Sequence, residues 1–399
     1  TPDTCFAWQV LDESQLPTGE ALYQLSFTSQ IWKGIPWQHR LTLIVPQSIK
    51  SNSVLMYIGG SGSGKNEIPM LSPLAQAVQA PVAILFDVPN QPLFDGLRED
   101  ALISLTFEKF IETDDASWLL LLPMTKSAVR ALDTIDQFMD AQLGREVDSY
   151  IVTGASKRGW TTWLTAAVDP RLQAIVPIAY DNLDLHKQME HHLISFGSYA
   201  QKIDDYTERG LQQMLGTQQG KKLAAIVDPH AYRERYTLPK LIVRGSNDPY
   251  WPTDALLLYV DDLPGPTWIH NDPNGGHGLS DIERVITTIA GFFHAQTGAL
   301  PLTLEPVEWN VKEGEESFSL EVISSLPAAA FNLWSAEGPT RDLREGAWSA
   351  ETVGPGQRHT FDIPRLSTDY KAVYGEVILQ IGKVSMALDT PIFIVEPKE

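Results

Sequence analysis

Ser156 stands in a setting that could make its hydroxyl a nucleophile. It follows an apolar run at 150–153 that predicts a strand, and from Trp160 onward apolar residues recur at helical spacing. Gly154 and Gly159 flank it on either side. A serine at such a strand-to-helix turn is exposed above the strand, where it can attack a carbonyl. The second glycine comes one place later than in the usual Gly-x-Ser-x-Gly pattern, so the serine needs partners to support this role.

The base and the acid that a serine nucleophile needs both follow it along the chain. Asp248 lies in a polar turn directly after a predicted strand at 240–243, and His277 lies in a glycine-rich loop ahead of a helical stretch. A serine is a poor nucleophile until a histidine takes its proton, and the acid fixes the tautomer of that histidine. The order Ser156, Asp248, His277 is that of the catalytic triad in α/β-hydrolases.

Other residues compete for the roles of acid and base. Asp254, Asp272 and Asp281 lie near the same two loops, and His270 precedes His277. Asp248 is favoured because it comes directly off a strand end. His270 is disfavoured because it is predicted to be the last residue of a strand. For Ser156 itself, the alternative is a serine that merely caps a buried helix.

A glycine-rich loop, GGSGSGKN at 59–66, follows another predicted strand at 54–58. It nearly matches the phosphate-binding loop, but Asn66 lacks the hydroxyl that ligates magnesium in that motif. An early strand–helix loop also supplies the second amide of an oxyanion hole. We therefore expect an amide of Gly60 or Ser61 to stabilise an oxyanion, together with the amide that follows Ser156. Nucleotide binding and a plain glycine turn are the alternatives.

The composition narrows the class of partner. A formal net charge of -20 argues against nucleic acid, which requires a basic patch. The single cysteine, Cys5, allows no intrachain disulfide and no cysteine metal cluster. No apolar run reaches the roughly 18 to 20 residues of a membrane-spanning helix. Because the chain begins at Thr1 rather than at methionine, we expect that an upstream segment was removed, either as a cleaved export signal or by artificial trimming of the sequence.

A cluster of histidines and acids follows residue 180 and raises the question of a metal site. Its order matches no ligand pattern that we would trust, so a helical surface or the wall of a cap is the preferred interpretation. No metal and no organic cofactor is predicted. The residues concerned are Asp181, Asp184, His186, Glu190, His191 and His192.

The pattern of elements predicts two domains in the 399 residues. Strands alternate with helices from residue 54 onward, which predicts a mostly parallel sheet covered by helices on both faces. We assign an α/β-hydrolase-like domain to 1–300, with a helical cap inserted at about 181–237. Short strands separated by Gly, Pro and Ser predict a β-sandwich at 301–399. The predicted sheet strands are 54–58, 82–86, 150–153, 174–178, 240–243 and 267–270.

Several stretches together resemble the PhoPQ-activated pathogenicity-related (PqaA-like) protein family. The resemblance extends over nearly the whole chain and implies an α/β-hydrolase-like core, a C-terminal β domain and export to the periplasm or beyond the cell. It implies no settled substrate, because the family is named for its regulation. The stretches are VPNQPL at 88–93, EDALI at 99–103, LLPMTKSAVRA at 121–131, GASKRGWTTWLTAA at 154–167, DYT at 205–207, PKLI at 239–242 and the His277 loop.

The late glycine is also similar to the Gly-x-Ser-Arg-x-Gly elbow of glucuronoyl esterases, in which the basic residue after the serine assists the oxyanion hole. Lys157 occupies that place, so the resemblance implies a catalytic role for Lys157 and an ester substrate. A lysine lacks the planar two-pronged geometry of arginine. The architecture also resembles prolyl-oligopeptidase-type peptidases, which keeps peptide substrates open. Trp160 is a further substrate-contact prediction, with a place in the core as the alternative.

These observations predict a serine hydrolase that acts on the ester or amide carbonyl of a small molecule or a peptide. The alternative is a non-catalytic secreted signalling or binding protein that retains the hydrolase fold, because fold alone does not guarantee activity.

Overall fold

The computed structural model describes residues 5–300, 303–382 and 384–398. The chain divides into two compact units. The first contains 1–180 and 205–238, and the second contains 181–204 and 239–399. The predicted first residues of the two domains, Thr1 and Pro301, lie outside the described residues. The predicted division into 1–300 and 301–399 stays a prediction.

In the described residues of the first unit, seven strands form one mixed sheet. The strands are β1 (Ala7–Gln15), β2 (Ala21–Trp32), β3 (Ile35–Val45), β4 (Val54–Ile58), β5 (Val82–Leu85), β6 (Tyr150–Ala155) and β7 (Leu172–Ile178). They lie in the order β1-β2-β3-β5-β4-β6-β7. The pairs β1–β2, β2–β3 and β3–β5 are antiparallel, while the pairs β5–β4, β4–β6 and β6–β7 are parallel.

The helices of this part of the chain connect the parallel strands. They are α1 (Glu67–Val78), α2 (Glu99–Thr113), α3 (Leu121–Leu143) and α4 (Lys157–Ala166). The longest, α3, buries a face that includes Leu132, Ile135 and Phe138, and it ends at Gly144 in the left-handed conformation. Strands β4, β5 and β6 are apolar and almost wholly buried, because helices cover both faces of a parallel sheet.

The stretch between β7 and the next strand is helical. It contains α5 (Leu185–Phe196), α6 (Asp204–Thr207), α7 (Leu211–Met214) and α8 (Gln218–Val227). Residues 181–204 belong to the second unit and 205–238 to the first. That this stretch acts as a cap, as expected for 181–237, stays a prediction.

The second unit continues with a parallel strand pair, β8 (Lys240–Gly245) and β9 (Thr267–Asp272), and the helix α9 (Ile282–Gln296). Beyond α9 lie two antiparallel sheets. Their strands are β10 (Glu308–Glu313), β11 (Ser317–Ala328), β12 (Ala330–Gly338), β13 (Ser349–Val353), β14 (Gly356–Pro364), β15 (Tyr370–Ile381), β16 (Val384–Asp389) and β17 (Phe393–Val395).

The two C-terminal sheets pack face to face. One has the order β10-β11-β14, and the other has the order β13-β12-β15-β16, with β17 also paired to β15. A Cβ added to Gly375 on β15 would lie 2.3 Å from a methyl carbon of Val322 on β11, so the sheets approach closely there. Gly291 of α9 is similarly close to Met386 of β16. The parallel sheet with covering helices and the C-terminal β domain are confirmed. No helix in the described ranges is both long and apolar enough to cross a bilayer.

Candidate active site

Ser156 lies at the turn between β6 and α4, with backbone angles of φ 58° and ψ -127°. A residue other than glycine at positive φ is strained, and such strain is concentrated at functional sites. The Ser156 amide donates to the carbonyl of Ile178 at the end of β7, at 2.8 Å, which holds the turn in place. Ser156 is half-buried. It therefore occupies the sharp strand-to-helix turn that is typical of a nucleophile elbow.

The two glycines beside Ser156 explain the irregular motif. A Cβ on Gly154 would lie 2.7 Å from the carbonyl oxygen of Arg158 and 3.0 Å from its Cβ. A Cβ on Gly159 would lie 2.8 Å from the carbonyl oxygen of Ile178 and 2.9 Å from the Cβ of Tyr180. Because Gly154 has no side chain, the elbow can hold an arginine where the usual pattern has its second glycine. Gly159 is needed one place later, where α4 packs against the end of β7.

The amides predicted to form an oxyanion hole belong to two neighbouring loops of the first unit. Lys157 is the first residue of α4, and the amides of a first helical turn have no acceptor within the helix. Within the described part of the chain, the amides of Gly60 and Ser61 donate to no protein acceptor. The carbonyl of Gly60 accepts from the Asp87 amide at 2.9 Å, which ties the loop after β4 to the loop after β5. These amides are therefore available to an oxyanion.

The same loop is poorly suited to phosphate. Glu67 begins α1 directly after it, and a Cβ on Gly62 would lie 2.5 Å from a carboxylate oxygen of Glu67. A carboxylate at this helix start would repel the anion that a phosphate-binding loop attracts. The geometry therefore favours the oxyanion interpretation over nucleotide binding.

The side chain of Lys157 is buried in a group of ion pairs. Its Nζ lies 3.1 Å from a carboxylate oxygen of Glu99 and 3.1 Å from one of Asp100. Burial would raise the pKa of Glu99, but hydrogen bonds and charge from Arg158, with the charge of Lys157 and a hydrogen bond from Gln91, lower it to about 2. A direct catalytic role for the Lys157 ammonium, which the resemblance to glucuronoyl esterases implied, stays a prediction.

Trp160 lies on the buried side of α4. It is 4% exposed, its indole N–H donates to the carbonyl of Val227 at 2.5 Å, and its ring stacks on Tyr180. These contacts stabilise the helix that carries the elbow. A contact between Trp160 and substrate stays a prediction.

In the second unit, His277 and Asp248 form a hydrogen-bonded pair. The Nδ1 of His277 lies 2.8 Å from Oδ2 of Asp248, whose side chain is 6% exposed while that of His277 is 23% exposed. The ring of Tyr250 stacks on His277 with centroids 4.0 Å apart. The amide of Tyr250 donates to Oδ1 of Asp248 at 2.9 Å. This pairing makes Nδ1 the protonated nitrogen of neutral His277 and Nε2 the basic nitrogen.

The pairing follows from direct contact between the loops after β8 and β9. A Cβ on Gly245 would lie 2.4 Å from the carbonyl oxygens of both Gly275 and Gly276. The Asn247 amide donates to the carbonyl of Gly275 at 2.8 Å. Because β8 and β9 are parallel neighbours, their carboxyl ends meet at one edge, and the missing side chain at Gly245 lets the two loops touch.

The competing acids and the competing histidine have other partners. Asp254 pairs with His191 at 2.7 Å and with Arg341 at 2.6 Å. Asp272 accepts from the hydroxyl of Ser280 at 3.0 Å. Asp281 caps α9 by accepting from the Arg284 amide. His270 is fully buried, its Nδ1 lies 3.0 Å from the carbonyl of Ala387, and burial lowers its pKa to about 3. Among these residues, Asp248 is the acid beside His277.

The histidines after residue 180 have separate environments. His186 pairs with Glu190 on the exposed side of α5, while His191 pairs with Asp254 and His192 packs against Trp251. Across residues 5–300, 303–382 and 384–398, no group of three or more His, Cys, Asp or Glu side chains is placed to hold a metal ion.

The sequence reasoning missed two supports of the site. Tyr250, which stacks on His277, stands two residues after Asp248 and offered no pattern beyond that nearness. Glu99 binds both nitrogens of the Arg158 fork, at 2.7 and 2.8 Å. Its only signal was its place in the EDALI stretch, because the contact joins residues far apart in the chain.

Known proteins share this architecture. The chain is similar to an acetyl xylan esterase from Paenibacillus sp. R4, with a TM-score of 0.54 and 15% identity, over 74% of this chain and 89% of that one. At this identity, the likeness shows the α/β-hydrolase fold. The chain is also 30% identical over 381 residues to Autocrine proliferation repressor protein A of Dictyostelium discoideum, which covers 90% of this chain and 74% of that protein.

The family is shown by a match over most of the sequence. The profile of the PhoPQ-activated pathogenicity-related proteins matches residues 1–344, which include the elbow, the glycine-rich loop and the loops of Asp248 and His277. This protein therefore belongs to the family of PhoPQ-activated pathogenicity-related proteins.

Proposed function

We propose that this protein is a serine hydrolase that cleaves an ester or amide bond. Ser156 is the nucleophile, His277 the general base and then the general acid, and Asp248 the residue that orients His277. The amide of Lys157, with an amide of Gly60 or Ser61, stabilises the oxyanion. The substrate is a small molecule or a peptide, and no metal or organic cofactor takes part.

The chemistry runs in two halves. Nε2 of His277 takes the proton of the Ser156 hydroxyl as the oxygen attacks the carbonyl, and the oxyanion forms against the backbone amides. The imidazolium then protonates the leaving alcohol or amine, which leaves an acyl-enzyme. Water attacks the acyl group with His277 again as base, and the carboxylate product leaves with Ser156 restored.

The observation that carries this proposal is the hydrogen bond of 2.8 Å between His277 and Asp248. Such a partner fixes the tautomer of a histidine so that Nε2 is its basic nitrogen, and Ser156 at its strained turn is the nucleophile of this proposal. Each oxyanion donor in such a site typically stabilises the transition state by about 3 to 4 kcal/mol. An arrangement that only packed the core would not need a strained serine.

A second candidate is a secreted signalling or binding protein that retains the hydrolase fold without turnover. The relative in Dictyostelium discoideum is named as an autocrine proliferation repressor, which favours this candidate. We also propose, from the same name and from the sequence-based expectation, that the protein is exported, either to the periplasm or out of the cell. Cell fractionation with an antibody to the chain tests this location, and recovery only in the cytoplasm would contradict it.

Covalent labelling separates the two candidates. Intact-mass analysis after incubation with a fluorophosphonate should show one adduct on the wild type and none on Ser156→Ala. Ser63→Ala is the matched control, because Ser63 is an exposed serine in the glycine-rich loop and its loss should leave labelling unchanged. A folded wild type that takes no adduct would contradict the hydrolase proposal and leave the binding protein.

A further inference from the structure

Arg158 connects four segments around the elbow in the first unit. It stands two residues after Ser156, its Nε donates to the carbonyl of Val88 at 2.6 Å, and its fork binds Glu99 at the start of α2. A Cβ on Gly60 would lie only 2.5 Å from one of its terminal nitrogens, so the guanidinium packs directly on the backbone of the glycine-rich loop. The elbow, the loops after β4 and β5, and α2 therefore meet at one side chain.

The position of the glycine-rich loop depends on these contacts. The carbonyls of Gly59 and Gly60 accept from the amides of Val88 and Asp87 at 3.2 and 2.9 Å, so the loop is tied to the same segment that Arg158 holds through Val88. The carbonyls of Gly59 and Gly60 thus have donors within this part of the fold, while the amides of Gly60 and Ser61 donate to no acceptor in the described residues.

Glu99 and Gln91 complete the arrangement. Gln91 accepts from the Glu99 amide at 2.8 Å and donates to the Ser61 hydroxyl at 3.4 Å. Hydrogen bonds and charge from Arg158 outweigh burial and hold the pKa of Glu99 near 2, so the carboxylate stays ionised at neutral pH. The side chain of Arg158 is 11% exposed and that of Glu99 is 38% exposed, and the two-pronged geometry of the pair fixes the orientation of the guanidinium.

We infer that Arg158, held by Glu99, is a positioning residue that sets the distance between Ser156 and the amides of Gly60 and Ser61, and so completes the oxyanion hole. This inference rests on the proposed function. Arg158 does not touch the reacting atoms, and it acts through the loop whose backbone it packs against. The requirement for an arginine explains why the usual second glycine of the elbow is absent from this position.

The test measures inactivation by a fluorophosphonate, because its phosphoryl oxygen uses the oxyanion hole and no natural substrate is needed. We expect Arg158→Lys, which keeps the charge but loses the fork, to lower the maximal inactivation rate at least about ten-fold. The half-saturating concentration should stay unchanged, since only the transition state loses stabilisation. Gly60→Ala should have the same effect, because its Cβ would displace the guanidinium.

Arg171→Lys is the matched control. Arg171 also forms a two-pronged pair, through Nε and one terminal nitrogen with Asp169 at 2.9 and 2.6 Å, just before β7 and so at the opposite end of the strands from Ser156. The inactivation rate of Arg171→Lys should equal that of the wild type. Added guanidinium ion should restore part of the rate to Arg158→Ala, which a role in general stability would not produce.

The labelling rates and melting temperatures of these proteins either support or overturn the inference about Arg158. The inference is supported if the wild type is labelled at Ser156, Arg158→Lys is inactivated more slowly than the wild type, and Arg171→Lys is inactivated at the wild-type rate. Equal rates for the wild type and Arg158→Lys overturn it and leave the proposed function intact. If both lysine variants lose the same inactivation rate and the same melting temperature, the inference is overturned, because the slower labelling then reflects lower stability. A wild type that is not labelled at Ser156 removes the proposed function and this inference with it.

Discussion

Asn274 and Trp348 exchange two hydrogen bonds. The Nδ2 of Asn274 donates to the carbonyl of Trp348 at 3.1 Å, and its Oδ1 accepts from the Trp348 amide at 2.8 Å. Asn247 similarly donates to the carbonyls of Arg344 and Gly346. The segment before β13 therefore holds both the loop of Asp248 and the loop of His277. The C-terminal part of the chain thus supports the hydrogen-bonded pair of His277 and Asp248.

Replacing Asn274 tests this support. Asn274 has a φ of 60°, so Asn274→Gly removes the side chain without adding backbone strain. We expect a loss of about 1 to 3 kcal/mol in the free energy of unfolding, because buried groups of Trp348 lose their partners. Labelling of Ser156 should slow as well. Urea unfolding and fluorophosphonate kinetics measure the two effects.

Asn310→Ala is the control for that variant. Asn310 lies on β10 and donates to Glu321 at 2.9 Å in an exposed place. Its loss should change the free energy of unfolding by less than about 0.5 kcal/mol. If Asn274→Gly behaves like this control in both measurements, the segment before β13 does not support the pair.

The strain at Ser156 gives a second prediction. Because Ser156 has a φ of 58°, Ser156→Gly should be more stable than Ser156→Ala by about 1 kcal/mol. Both variants should fold and both should lose labelling. Thermal unfolding of the three proteins measures the difference. An alanine variant as stable as the glycine variant would show that the turn relaxes and is not strained.

The late glycine of the elbow gives a third prediction. In Gly159→Ala, the new Cβ would lie under 3 Å from Ile178 and Tyr180, so we expect a loss of about 1 to 3 kcal/mol in the free energy of unfolding. Gly354→Ala is the matched control, because no atom lies within 4 Å of its added Cβ. Denaturant unfolding of both variants measures the losses. Equal values would contradict the close packing of α4 against β7.

The sequence predicted the sheet better than it predicted the contacts around the site. Each strand predicted from 54 to 270 lies within an observed strand or exceeds it by one residue, as with 82–86 against β5 (Val82–Leu85). These strands are buried on both faces, so their apolar runs are unbroken and easily recognised. Strands β10 and β13 are largely exposed and carry polar residues on both faces, so they have no such apolar run.

Candidate residues of the site could be proposed from the sequence where a residue type and its position after a strand were enough. Ser156, Asp248 and His277 each follow a strand, and a local pattern indicates such places. The pairs Arg158–Glu99 and Asn274–Trp348 join residues far apart in the chain, and one sequence holds no sign of which arginine meets which carboxylate. The packing of Arg158 on the backbone of the glycine-rich loop is therefore visible only in the three-dimensional structure.

His39 gives a prediction about acid stability. It is 1% exposed, its Nδ1 lies 3.1 Å from the carbonyl of Phe86, and its Nε2 lies 3.0 Å from the Ser29 hydroxyl. Burial lowers its pKa to about 4, although hydrogen bonds to backbone carbonyls oppose the shift. The unfolded chain therefore binds a proton more readily than the folded one between about pH 6.5 and pH 4, and protonation favours unfolding there.

The sign of this effect is open to measurement. As the pH falls through that window, the wild type should lose up to about 3 kcal/mol through His39. In His39→Gln this loss should be absent, so the two proteins should differ less in the free energy of unfolding at pH 4.5 than at pH 7.5. His186→Gln, at an exposed place on α5, should keep the wild-type profile. Parallel pH profiles for the wild type and His39→Gln would show that His39 takes up a proton as readily in the folded protein as in the unfolded chain.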